Sequence, residues 1–300
     1  HMAHIYQATH HSSSLETLQE EAGAKNWWLS MPLAFLALGL GMLLSGLLSQ
    51  WLIQPFINVS NQLVLEEVST LLFHGISALP LLLVAKFWEH RSLASFGLWW
   101  EKLGKNLLFG AVIGFLTTTA IIGVNALAGQ LHFRLGNQFN LALWPYLLLM
   151  IFLKALAEEV IYRGFVLNKL RTKMGLVPAI ALGNLFFGLM HTFKGGAPFS
   201  YILSVTLSGV LFSLLFALTD NLWLVAATHA LYNLTLTNIF GLVESGPTFL
   251  RTTLSSDSNP LLVGTAAIPV VGGILEPITM TLICLFIAYL VKKKADAKAL

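Results

Sequence analysis

Long apolar runs alternate with short polar breaks along the chain, near residues 28–53, 67–86, 106–128, 142–166, 177–193, 200–218, 221–241 and 261–291. Each is close to or above the roughly 20 residues that an α-helix needs to cross a bilayer core. The pattern predicts an all-α, polytopic membrane bundle of about eight transmembrane helices. The last run is too long for one straight crossing. Gly272, Gly273 and Pro277 predict an irregular stretch, after which Glu276-Pro277 opens a helix ending at Val291, because an acidic cap followed by proline marks a helix start. Residues 1–26 are polar and read as a mobile N-terminal segment, with His1-Met2 a cloning remnant. Residues 27–300 read as a single membrane domain without linker or internal repeat.

Composition agrees with this class. Of 300 residues, 56% are hydrophobic and 10% charged, whereas a soluble domain carries about 25% charge. The mean hydropathy is +0.75, and a globule in water could not cover that much apolar surface. A disulfide scaffold is excluded because Cys284 is the single cysteine. The pI near 9.0 reflects a net charge of only +3 with no basic stripe, which argues against nucleic-acid partners. A removable signal peptide is not expected either. Glu16, Glu20 and Glu21 against Lys25 before the first apolar run make no basic n-region.

Loop charge sets the orientation. An even number of spans puts both ends on one side. Taking that side as cytosolic assigns it twelve basic residues: Lys25, Lys86, Arg91, Lys102, Lys105, Lys169, Arg171, Lys173, Lys292, Lys293, Lys294 and Lys298. The other side holds three, Arg134, Lys194 and Arg251. Basic residues are retained in cytosolic loops, so cytosolic N- and C-termini are expected. Trp88, Trp99 and Trp100 flank one basic loop, as interfacial tryptophans do.

Ionisable residues inside membrane helices are costly and mark function by default. The fourth run contains Lys154-Ala-Leu-Ala-Glu158-Glu159-Val-Ile-Tyr-Arg163-Gly164. Glu159 and Arg163 are four apart and share a helix face in the favourable acid-first order. That pairing leaves Glu158 to face a different cavity. Lys154 shares the Glu158 stripe, as a partner or as a snorkelling residue. In the fifth run Asn184, Phe187, Gly188 and His191 share a face, and in the seventh His229 and Asn233 do. At 1.5 Å per residue, Glu158 and His229 lie about 12 Å from the cytosolic ends of their runs and His191 about 21 Å. Such groups can simply tie helices together by hydrogen bonds. Four of them on three helices favour a site instead. Asn184 reads as a supporting donor, and His74 as a packed or pore-facing histidine.

A carboxylate with a histidine can hold a water and take its proton, and a second donor pair can stabilise the oxyanion formed when that water attacks an amide. Glu158 with His191 supplies the first pair, His229 with Asn233 the second. There is no G-x-S-x-G nucleophile elbow and no H-E-x-x-H zinc motif. Carboxylate and imidazole are ordinary zinc ligands, so a metal held by Glu158, His191 and His229 is the alternative to a cofactor-free site.

The ordered set Glu158-Glu159-x-x-x-Arg163, Phe187-x-x-x-His191 and His229-x-x-x-Asn233 resembles the CPBP family. These are the CAAX-processing and bacteriocin-processing or immunity membrane proteins, also called the Abi family, which includes the type II CAAX prenyl endopeptidase. The motifs span residues 158–233 within a polar core at 154–233. The resemblance implies an intramembrane endopeptidase in a prokaryotic cell membrane, acting on a peptide or membrane-anchored protein. It implies that Glu158 and His191 activate water and that His229 and Asn233 form the oxyanion hole. Glu159 and Arg163 take supporting roles, and no metal is required. The rival reading is a non-catalytic scaffold or immunity protein that binds a partner through the same polar cavity. A proton-coupled carrier would also use buried Glu and His, but it would bring internal repeats.

Overall fold

The computed structural model describes residues 13–22, 25–53, 55, 62–136, 142–194, 198–242 and 247–299. The chain is mostly helical and polytopic. A short helix, α1 (Ser14–Glu21), precedes α2 (Ser30–Leu48), α3 (Gln62–Leu83) and α4 (Leu103–Leu127). The strand β1 (Leu131–Leu135) leads to α5 (Leu143–Glu159), which runs on as a π-helix (Val160–Leu167) into α6 (Asn168–Met174). Then follow α7 (Leu176–Met190), α8 (Phe199–Thr219), α9 (Leu222–Leu234), the strand β2 (Leu250–Leu254) and α10 (Leu275–Ala299).

Among the described residues, five helical stretches are long and apolar enough to cross a membrane: Trp27–Trp51, Val68–Trp88, Leu103–Leu127, Phe199–Thr219 and Leu275–Ala299. A shorter apolar helix covers Leu176–Met190. Leu36, Leu43, Leu108, Leu116, Leu282 and Leu285 are exposed on these helices, as expected of faces turned to lipid. Among the helices of more than ten residues, those that fall short of a full apolar span are those of the sequence motifs. Helix α5 carries Lys154, Glu158 and Glu159 and gives way to a π-helix; α7 stops at His191; α9 stops at Leu234 before a π-turn. A π-helix interrupts regular spacing and is often found at functional sites.

Helix α9 is the centre of the bundle, buried at every position from Leu224 to Ala230. It packs on α4, α5 and α8. Gly110 and Gly114 of α4 permit the closest approach, since a Cβ at either would lie 2.1 and 2.3 Å from the carbonyl oxygens of Leu224 and Thr228. Small residues four apart let membrane helices touch backbone to backbone. Helix α3 packs between α2 and α5, and α10 lies along α8 and α4.

Polar contacts sort the connecting segments into two groups. At one end Ser14 of α1 donates to Asp220 through its backbone nitrogen (2.8 Å) and its hydroxyl, and accepts from Asn168 Nδ2 (3.1 Å). Asn168 Nδ2 also donates to Ser95 O (3.1 Å), Ser92 N to Glu21 Oε2 (2.8 Å), and Lys294 Nζ to Leu218 O (2.6 Å). Glu89 accepts from Lys169 Nζ at 2.8 Å and lies 3.5 Å from Arg91 Nη1. Burial pushes the Arg91 guanidinium down to about 10, with Glu89 holding against that shift. At the other end β1 pairs antiparallel with β2, Leu131 opposite Leu254, and Gln130 accepts from the backbone of Ser255 and Asn259.

Three features differ from the sequence reading. The chain is mostly helical rather than all-α, because the segments after α4 and α9 satisfy their backbone groups by pairing as strands, and Gly264–Thr265 pairs with Ile268–Pro269. The last helix does not end at Val291: it starts at Leu275 and continues through Lys292–Lys294 to Ala299, since lysine and alanine extend a helix readily. Within the polar segment 1–26, residues 14–21 form a docked helix, opened by a capping box in which Ser13 and Glu16 exchange hydrogen bonds. Leu18 and Ser14 are fully buried. Residues 1–12 lie outside the described residues.

Candidate active site

Two carboxylates end α5, and the helix turns them to different partners. Glu159 is fully buried. Its Oε1 accepts from Arg163 Nη1 at 3.2 Å and from His229 Nδ1 at 2.7 Å. Arg163 is itself 1% exposed and donates its other terminal nitrogen to Asn184 Oδ1 (3.2 Å) and Gly209 O (2.9 Å). Its guanidinium lies over the Phe187 and Phe212 rings, and Phe212 stacks on His229 with centroids 4.6 Å apart. Asn184 continues the chain by donating to Ser213 Oγ at 3.0 Å. A buried ion pair is tolerated when further hydrogen bonds satisfy its remaining groups, and this network ties α5, α7, α8 and α9 together. Gly209 leaves the necessary room: a Cβ there would sit 2.4 Å from Asn184 Oδ1.

Glu158 faces the other way, into a cavity of about 510 Å³. Its Oε1 meets His74 Nε2 of α3 at 2.9 Å. Glu158, His74 and His191 line the cavity, whose apolar lining includes Phe35, Met42, Phe73 and Met190. His191 caps α7, and its Nδ1 lies 2.7 Å from Phe187 O. A carbonyl only accepts, so Nδ1 carries the proton and Nε2 is the basic nitrogen of the neutral ring. The difference in expected depth between Glu158 and His191 does not separate them, for both line this one cavity.

His229 lies within electrostatic reach of Glu158, but its Nδ1 is held by Glu159. Neither His229 nor Asn233 is a wall residue of the cavity, and Asn233 is exposed. Among the described residues no three His, Cys, Asp or Glu side chains gather closely enough to hold a metal ion. The set Glu158, His191 and His229 therefore does not form a ready zinc site.

Sequence reasoning missed the role of α3 and α8. His74 stands alone in an apolar run, and only its helix's packing on α5 brings it to Glu158. Phe212, Gly209 and Ser213 look like ordinary membrane-helix residues. Their sole local signal was small and aromatic residues recurring on one face of α8.

No curated protein and no solved structure matches the chain. A family match covers residues 139–235 and is described as Type II CAAX prenyl endopeptidase Rce1-like. It takes in α5 to α9, the segment that supplies Glu158, Glu159, Arg163, His191, His229 and Asn233. On that match, residues 139–235 of this multi-pass membrane protein are similar to the Rce1-like type II CAAX prenyl endopeptidase family.

Proposed function

We propose that the chain is an intramembrane endopeptidase that hydrolyses a peptide bond in a membrane-associated protein or peptide. The observation that carries this reading is that Glu158 and His191, both within the family-matched segment, line one largely apolar cavity. A water between Glu158 and His191 Nε2 gives up a proton to Glu158 as its oxygen bonds to the carbonyl carbon. The proton then passes to the amide nitrogen as the C–N bond breaks, releasing an amine and a carboxylic acid, whose remaining proton passes to the amine to leave a carboxylate and an ammonium. His229 and Asn233 act as donors to the oxyanion; with the Nδ1–H of His229 given to Glu159, donation from Nε2 requires the imidazolium form of the ring. Preorganised donors are usually the largest single contribution to such a step. Asn233→Ala is expected to bind substrate normally and lose turnover by roughly 10²–10³-fold, the usual cost of one oxyanion donor; steady-state kinetics on an identified substrate measure it. In this mechanism a chelator leaves cleavage unchanged.

The protein spans the membrane as eight helices within one domain, residues 27–300, with both termini in the cytosol. Two independent features support that topology. The basic residues fall twelve to three on the proposed inner side. The contacts Ser14–Asp220, Asn168–Ser95 and Lys294–Leu218 unite segments that eight spans put on that side, and the β1–β2 pair unites two on the other. A periplasm-dependent reporter fused after Leu300 in a bacterial host is expected to stay silent; clear activity there would overturn the orientation.

The peptidase reading is tested by mapping protein termini in membranes that contain the wild type or Glu158→Ala. New N-termini present only with the wild type are expected. Identical maps, with both proteins inserted at equal level, would contradict it.

A further inference from the structure

Glu158 has a partner that none of the three sequence motifs contains. His74 comes from α3, outside the family-matched segment, and is 7% exposed. Its Nδ1 lies 2.9 Å from Thr70 O, an acceptor only, so Nδ1 must carry a proton. Nε2 is then the nitrogen that meets Glu158 Oε1 at 2.9 Å, and one proton lies between them. The Phe73 ring packs edge-on against the imidazole at 4.7 Å. The ring is thus anchored on one side by its own helix and on the other by the carboxylate. His191 and His229 also act on Glu158 electrostatically; His191 is engaged through Phe187 O and His229 through Glu159. His74 Nε2 thus holds one Glu158 oxygen at hydrogen-bond length.

We propose that His74 is a positioning residue of the active site, fixing Glu158 Oε1 so that the carboxylate presents its other oxygen to the water and the scissile amide. This rests on the peptidase reading. A carboxylate at the end of three rotatable bonds and beside a 510 Å³ cavity has several orientations open to it. Displacing a reacting group by about 1 Å can cost 10²-fold in rate. The hydrogen bond also brings α3, and through it the cavity wall shared with α2, into register with the catalytic carboxylate.

The first arm of the test needs no substrate. Full-length protein with ¹⁵N-labelled histidine is reconstituted in lipid nanodiscs, and His74 signals are assigned by their loss in His74→Gln. Glu158→Gln is expected to move the His74 Nε2 resonance and leave that of His132 in place. Glu158→Asp gives a second reading should the glutamine variant insert poorly. Unchanged His74 resonances in a folded variant would overturn the proposal. The second arm uses a peptide whose cleavage depends on Glu158. His74→Phe is expected to lower kcat by about 10²-fold with KM little changed, and His74→Gln, which restores a donor, to recover about tenfold of that loss. Equal turnover in His74→Phe and wild type would overturn the positioning role. Equal losses in both variants would also overturn it, by reducing His74 to packing. A shifted resonance with no peptide found whose cleavage depends on Glu158 would overturn the peptidase reading, and the positioning role of His74 with it, while leaving the contact itself demonstrated.

Discussion

Glu158→Gln is expected to fold, insert and bind substrate, yet to cleave nothing measurable. The amide keeps the shape of the side chain and can still hydrogen-bond His74, which lies 2.9 Å from Glu158 Oε1. It cannot take a proton from water. Loss of a positioned general base typically removes about 10²–10⁴-fold in rate, and Glu158 is the carboxylate that faces the cavity, since Glu159 is fully buried against Arg163 and His229. The measurement is turnover and binding of an identified peptide, beside a thermal melt of the purified protein. A scaffold that only binds its partner would retain full biological activity in Glu158→Gln, so that result in a folded, inserted variant separates the two readings.

Arg163→Ala is expected to act on stability first. The guanidinium joins Glu159, Asn184 and the Gly209 carbonyl at 2.9–3.2 Å, and its removal leaves Glu159 buried beside His229 without its cation. Breaking a buried pair by deleting one partner typically costs about 3–5 kcal/mol. Lysine is a poor substitute because a single ammonium cannot reproduce the planar fork that spans three acceptors. Thermal unfolding in detergent should therefore show a lowered midpoint and reduced yield for both Arg163→Ala and Arg163→Lys. An Arg163→Ala protein as stable as wild type but without turnover would move Arg163 from support into catalysis.

The membrane class was legible because hydropathy is a local property: runs such as 106–128 and 200–218 coincide with helices Leu103–Leu127 and Phe199–Thr219. The contact between Glu159 and Arg163 was legible for a similar reason, since four-residue spacing fixes a shared face. Contacts between helices were not. His74 meets Glu158 only because α3 packs on α5, and no spacing within α3 encodes that. The Glu159–His229 bond joins two motifs that sequence reasoning assigned to separate tasks. The strand pair β1–β2 depends on bringing residues 131–135 beside 250–254, and a segment such as Leu-His-Phe-Arg-Leu is too short to reveal its partner. The docked α1 did carry a local signal, the Ser13-x-x-Glu16 capping box, which the polar composition around it obscured.

Hydrolysis by water under the control of Glu158 is tested most directly by incubating purified protein in nanodiscs with a peptide found by terminus mapping, in water enriched in ¹⁸O, and analysing both fragments by mass spectrometry. The wild type is expected to yield two fragments, with one solvent oxygen in the new carboxylate, and Glu158→Gln to leave the peptide intact. Cleavage by Glu158→Gln at the wild-type rate, or an intact peptide with the wild type, would contradict the account.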